Sequence, residues 1–345
     1  MKDLTPEKMA ILESKLRKEG LIPEICEGRD GYANMLIPVD ENTKLSGTAA
    51  ALLPFQEEQS ETERLITAEL CANQILNIAL ILQKLTEESF SEMKERDIVA
   101  NSILQRALSY HISNLKLTSE GICIQSEKRI QLINDCYKAL PLTRSVYELL
   151  VTFFGLFILN KTEEEKEIAF NCWKINSEKN ALGELDLSNP LVKIRQNQAK
   201  QTIDNCKNFI LSTNLGKILK DELIKELSAK QPKIGTIYFC RDNNNYHLKR
   251  LSFASAWKFM TNNNTNLEFQ YRMLSMHSHP IHWGLSMFAN QSKDSIEDAI
   301  LGLHFSTSFL AKLLSYYKEY FGFDELESLL TDHQVGILNS MCESM

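Results

Sequence analysis

Cys71, Ile75, Ile78, Leu82 and Leu85 follow one another at intervals of four, three, four and three residues. Only an α-helix brings such a series onto one face, because a strand repeats every two residues. The pattern returns near the C-terminus. There Ile296, Ile300, Leu303, Leu310, Leu314 and Tyr317 are spaced four, three, seven, four and three apart. Glycine (13) and proline (8) are scarce in 345 residues, which leaves little turn chemistry for a β fold and favours helices on short connections. The expectation is an all-α, multi-helix bundle with at most one short β-hairpin near 234–250. There, IGTIYFCRDNNNYHLKR places a β-branched and aromatic run before an Asn-rich turn.

Boundary signals divide the chain further. Residues 1–60 read as an irregular N-terminal segment with one helix, since Thr5-Pro6 is an N-cap and N1 pair and GRDGYANMLIPVDENTKLSG is rich in turn residues. Residues 61–120 read as a helical hairpin, and 121–345 as the main bundle. Leu104, Leu108, His111 and Leu115 share one face of the second hairpin helix. A shorter helix is expected over 126–138. Pro141 is then expected to precede the most apolar helix, Thr143 to Leu159, which should be central. Thr162 with Glu165 makes a capping box for the next helix. Helices follow over 190–211, 216–229, 253–260, 294–320 and 324–340.

Composition excludes several classes. A net charge of −7 argues against a surface that coats nucleic acid broadly, though not against a local basic groove. The eight cysteines contain no C-x-x-C pair, so zinc-ribbon and thioredoxin-like readings lack support. Scattered thiols fit a reducing, cytoplasmic setting. MKDLTPEKMA lacks a signal-peptide pattern, and the most apolar run, Leu149 to Leu159, is short of the roughly 20 residues that span a bilayer. No membrane partner is expected. No nucleotide-binding, α/β-hydrolase or zincin motif occurs, and neither a metal nor a cofactor is called for.

Chemistry concentrates in LEFQYRMLSMHSHPIHW, residues 267–283, which holds three of the seven histidines. Thr265 and Glu268 make a capping box, and Pro280 ends or kinks the helix. Tyr271, Ser275 and His279 recur every four residues as a polar stripe, with Arg272 beside it. His279 falls in the last turn, where helix carbonyls favour its charged form. A second feature is Arg144 and Glu148, neighbours at i,i+4 on the apolar helix. A charged pair on a buried helix needs hydrogen-bond partners, and the 271–279 stripe is the densest source. An Arg-x(4–6)-His spacing, as in the HEPN class of helical ribonucleases, occurs at Arg272 to His277 or His279. It occurs also at Arg106…His111 and Arg241…His247. Arginine would stabilise a pentavalent phosphate, and histidine would move the proton of a ribose 2′-hydroxyl.

TRSVYELLVTFFGLFIL, then EEEKEIAFNCWKI, then WKFM…YRMLSMHSHP, resembles an uncharacterised bacterial family, domain of unknown function 5677, over roughly residues 125–320. The matching positions are Arg144, Glu148, Tyr271, Leu274, Ser275 and His279. The resemblance implies an all-helical domain in which the Arg-Glu helix packs on the Tyr-Ser-His helix, and it supplies no activity. An HEPN-like affinity, and a place among phage-defence or toxin–antitoxin proteins, is analogy. Two readings stand. One is a metal-independent ribonuclease or nucleotide-acting effector using Arg144, Glu148, Tyr271, Arg272, Ser275 and His279 on RNA or a nucleotide. The other is a non-catalytic interaction or regulatory module, binding a protein partner or itself, whose polar residues form a buried network that fixes helix register.

Overall fold

The computed structural model describes residues 61–89, 93–119, 122–126, 129–133, 136–182, 190–229, 235–242, 245–261, 268, 271, 272, 274, 275 and 296–344. Their order is α1 (Glu61–Ser89), α2 (Glu95–Ser119), β1 (Ile122–Ser126), β2 (Arg129–Ile133), α3 (Cys136–Phe153), α4 (Glu163–Leu182), α5 (Pro190–Ser212), α6 (Asn214–Ile218), α7 (Lys220–Leu227), β3 (Thr236–Asp242), β4 (Asn245–Leu251), α8 (Trp257–Met260), α9 (Ile296–Phe321), α10 (Leu326–Leu329) and α11 (Asp332–Glu343). Residues 268, 271, 272, 274 and 275 are also helical. The protein is an all-α bundle, and the hairpin expected at 234–250 is β3–β4.

The central rod is α9, not the Arg144 helix. From Gly302 to Ala311 every residue of α9 is buried, and the helix packs against α1, α2, α3 and α11. A helix apolar all round has to be enclosed on all sides. In the segment 61–119, α1 touches α9 far more extensively than it touches α2. The segment's residues Ile75, Ile78, Leu82, Leu104 and Leu108 share one core with Tyr147, Phe153, Phe157 and Phe309. A second core lies on the far side of α4. It joins Ile168, Cys172 and Ile175 to Ile203, Cys206 and Ile210 of α5, to Leu223 and Leu227 of α7, and to Ile237 of β3.

Two helices, over Arg64–Ser89 and Ala139–Ile158, are long and apolar enough to cross a membrane by length and composition alone. Both supply side chains to the main core, as α1 and α3 of this bundle.

Three expectations need correction. The 126–138 helix is absent: β1 and β2 form an antiparallel hairpin pairing Ile122 with Ile133 and Cys123 with Leu132, so the fold holds a second hairpin. Four isoleucines, Ile122, Ile124, Ile130 and Ile133, give these short runs a β preference that outweighs local helical periodicity. Pro141 does not precede α3 but lies inside it, within its first two turns. The 216–229 helix is two pieces, α6 and α7, parted at Leu219, whose φ/ψ of −100°/23° is not helical.

Past Phe153, α3 widens into a π-turn at Phe154–Ile158, and this turn seats the β3–β4 hairpin. Gly155 lies so close to Thr236 that any side chain there would collide with it. The buried Asn160 ties the pieces together. Its Nδ2 donates to Gly155 O at 2.9 Å and Ile237 O at 3.2 Å, and its Oδ1 accepts from Phe239 N at 3.2 Å. Asn160→Ala would strand three backbone groups, and the expected cost is about 2–3 kcal/mol in denaturant unfolding. A loss below about 1 kcal/mol would mean that apolar contacts alone hold the hairpin. The box expected at the start of α4 is present: Glu165 N donates to Thr162 Oγ1 and Thr162 N to Glu165 Oε2.

Candidate functional site

Arg144 and Glu148 stand one turn apart on α3, and Arg144 Nε donates to Glu148 Oε1 at 2.8 Å. Their side chains are 18 % and 33 % exposed. The pair therefore sits at a rim, neither solvated nor sealed. Over it lies Tyr271, from the segment 127 residues further on (271 − 144). The Arg144 guanidinium carbon is 5.9 Å from the centre of the Tyr271 ring. That distance is within cation–π range, worth roughly 0.5–1 kcal/mol where partly exposed.

Tyr147 completes the group. Its ring is fully buried, 4.9 Å from that of Tyr271 and 5.2 Å from that of Phe309. Its hydroxyl donates to Phe253 O at 2.7 Å. Burial pushes the Tyr147 phenol well above its ordinary range, with Tyr271 and Glu148 adding to the rise. Burial raises Tyr271 as well. The Arg144 charge and its hydrogen bond to the phenol oppose that rise, and Glu148 adds to it. Both phenols stay protonated donors at neutral pH.

The other stripe residues divide. Ser275 is half-buried one turn beyond Tyr271. Arg272 is not brought in: it is 73 % exposed and pairs with Glu268 on its own helix. The step of 100° from a ring that faces the bundle turns the next side chain to solvent. His277, His279 and His282, with Pro280 and the Thr265 cap, lie outside the described residues. Two of the Arg–His spacings do not form sites. Arg106 is exposed while His111 is fully buried. Arg241 and His247 are not cross-strand partners, since Arg241 pairs with Tyr246, and adjacent residues point to opposite faces.

Two buried polar groups escaped sequence reasoning in whole or part. Arg96, 6 % exposed, bonds Glu163 at 2.6 Å and Tyr320 Oη at 3.0 Å and lies 3.2 Å from Glu167. Tyr320 in turn donates to Asp97 at 2.6 Å. This network fastens α2, α4 and α9 to one another. The second is a seam between α2, α3 and α9. His111 Nδ1 lies 2.7 Å from Ser306 Oγ, Asn114 donates to Thr143, and Thr143 reaches Gly302 O. The short run His304, Ser306, Thr307 and Ser308 in an apolar helix was the available signal. Among the described residues, no three His, Cys, Asp or Glu side chains gather as a metal site.

No protein-family model, no curated protein and no solved structure matches this chain.

Proposed function

We propose that this protein is a helical effector that acts on RNA or a nucleotide without a metal, at a site built on Arg144. The observation that carries the reading is the meeting of Arg144, Glu148 and Tyr271 at a half-open rim, from two segments that have no local reason to converge. Glu148 fixes the guanidinium, and Tyr271 stacks on it. A fixed cation of this kind suits the negative charge that builds on a phosphorus centre under attack. His279, two turns beyond Tyr271 in sequence, is the assigned proton carrier, and Ser275 supplies a hydroxyl between them. The analogy with HEPN ribonucleases, which suggests a place in phage defence or stress, is in keeping with this reading.

A second reading is favoured by the seam of His111, Asn114, Thr143 and Ser306. Buried polar contacts of this kind fix helix register in a non-catalytic module. Cleavage of RNA by the purified chain tests the first reading. The His279→Ala variant, folded by circular dichroism, should lose that cleavage. Equal cleavage by the variant removes His279 from the mechanism, and no cleavage by either protein leaves the register module as the function.

A further inference from the structure

The outer face of the β3–β4 hairpin packs on the main core at its base, through Leu251 and Tyr238, and opens to solvent at Lys249 and His247. Along one face of this antiparallel pair, Tyr238 stands opposite Lys249, and Cys240 opposite His247. The other face, with Ile237, Phe239 and Leu248, covers the second core. Next to the outer face, α8 presents Phe259, whose ring meets that of Tyr238 edge-on at 5.2 Å. Phe259 is 43 % exposed, and Lys249, Lys258 and His247 are exposed around it. Lys258 lies 5.6 Å from the ring of Trp257, which anchors α8 in the main core. Among the described residues, Asp242 stands at the strand end, and Glu222 lies 3.8 Å from His247.

We propose that this face is a docking platform for single-stranded RNA, which rests on the function proposed above for its choice of RNA. Bases stack on aromatic rings whatever their identity, and lysines beside the rings meet the phosphates between them. Tyr238 and Phe259 supply the rings, and Lys249 and Lys258 the cations. In a chain of net charge −7, two exposed lysines beside the exposed Phe259 and the half-buried Tyr238 make a local exception that complements a polyanion. The platform and the Arg144 site share a packed connection through the interior. Tyr147 touches Tyr271 with its ring and holds Phe253 O with its hydroxyl, six residues before Phe259.

The test is fluorescence anisotropy with a labelled, unstructured oligonucleotide and the full chain. Phe259→Ala should weaken binding roughly tenfold, the scale of one lost stacking partner. Phe259→Trp should bind at least as tightly as the native protein. Lys249→Glu with Lys258→Glu should flatten the salt dependence by about one to two in log–log slope. Unchanged affinity in Phe259→Ala, or equal competition by duplex RNA, overturns the platform. The same sequence offered as DNA decides the ligand: tighter binding of RNA supports the proposal, and equal or tighter binding of DNA overturns it. Arg144→Ala separates this inference from the function it rests on. Oligonucleotide binding that depends on Phe259 but comes with no cleavage keeps the platform and removes the ribonuclease. Cleavage with no dependence of binding on Phe259 does the reverse.

Discussion

Arg144→Ala is expected to slow RNA cleavage by about 10²–10³-fold while changing folding stability by no more than about 1 kcal/mol. The two halves of this expectation come from the same numbers. The pair is at i,i+4 with its side chains 18 % and 33 % exposed, so Glu148 rehydrates when its partner goes. Such helix-surface pairs are worth a few tenths of a kcal/mol, and the Tyr271 stacking adds a similar amount. In the proposed reaction, the guanidinium is the fixed cation that meets the phosphate. Without it, charge building on non-bridging phosphate oxygens would meet the Glu148 carboxylate, which repels it, and neutral hydroxyls in place of a cation. Arg144→Lys should fall between the two, because it keeps the charge and loses the planar fork. Single-turnover rates set beside denaturant midpoints decide the matter. A variant that loses several kcal/mol of stability and keeps its rate would identify Arg144 as part of a register network.

The bundle was legible from its apolar spacing because that spacing is a local property. Cys71, Ile75, Ile78 and Leu82 are all buried as their intervals require. The Thr162 box was legible for the same reason, since both of its members lie within one turn. Which helix is central was not legible. α3 and α9 both read as apolar, and only the packing shows that α9 is enclosed by four others. Arg96 was invisible because its partners, Glu163 and Tyr320, are 67 and 224 residues away, and nothing within KERD marks it for burial. The convergence of Arg144 with Tyr271 was argued from need: a charged pair on an apolar helix wants polar neighbours, and one other segment was dense in them. Arg272 was grouped with that stripe by sequence proximity alone, and helical geometry turns it outward.

Acid should destabilise the bundle through its two fully enclosed histidines. Burial lowers His111 to about 4, partly offset by the Ala72 backbone, and burial lowers His304 to about 4. Unfolded, each titrates near 6.5. The unfolded chain therefore binds more protons between these values, and stability falls as pH drops from about 6.5 toward 4. At roughly 1.4 kcal/mol per pH unit, each histidine withdraws about 3 kcal/mol over that window. Glu69 works against them. Burial raises its carboxyl from 4.5 to about 7, so the folded state takes up a proton first, and stability is gained as pH falls from about 7 to 4.5. This gain offsets about one histidine. Glu163, held low chiefly by its hydrogen bond to Arg96, adds to the loss below its unfolded value. The wild-type stability curve should thus slope only moderately between pH 7 and pH 4.5. Glu69→Gln should steepen it by about 3 kcal/mol over that range, and His111→Gln should flatten it by a similar amount. Glutamine can still reach Ser306, so the seam keeps its hydrogen bond while losing its proton site. Parallel stability curves for wild type and His111→Gln would show that His111 is hydrated or charged in the folded state, and that the seam is open to water.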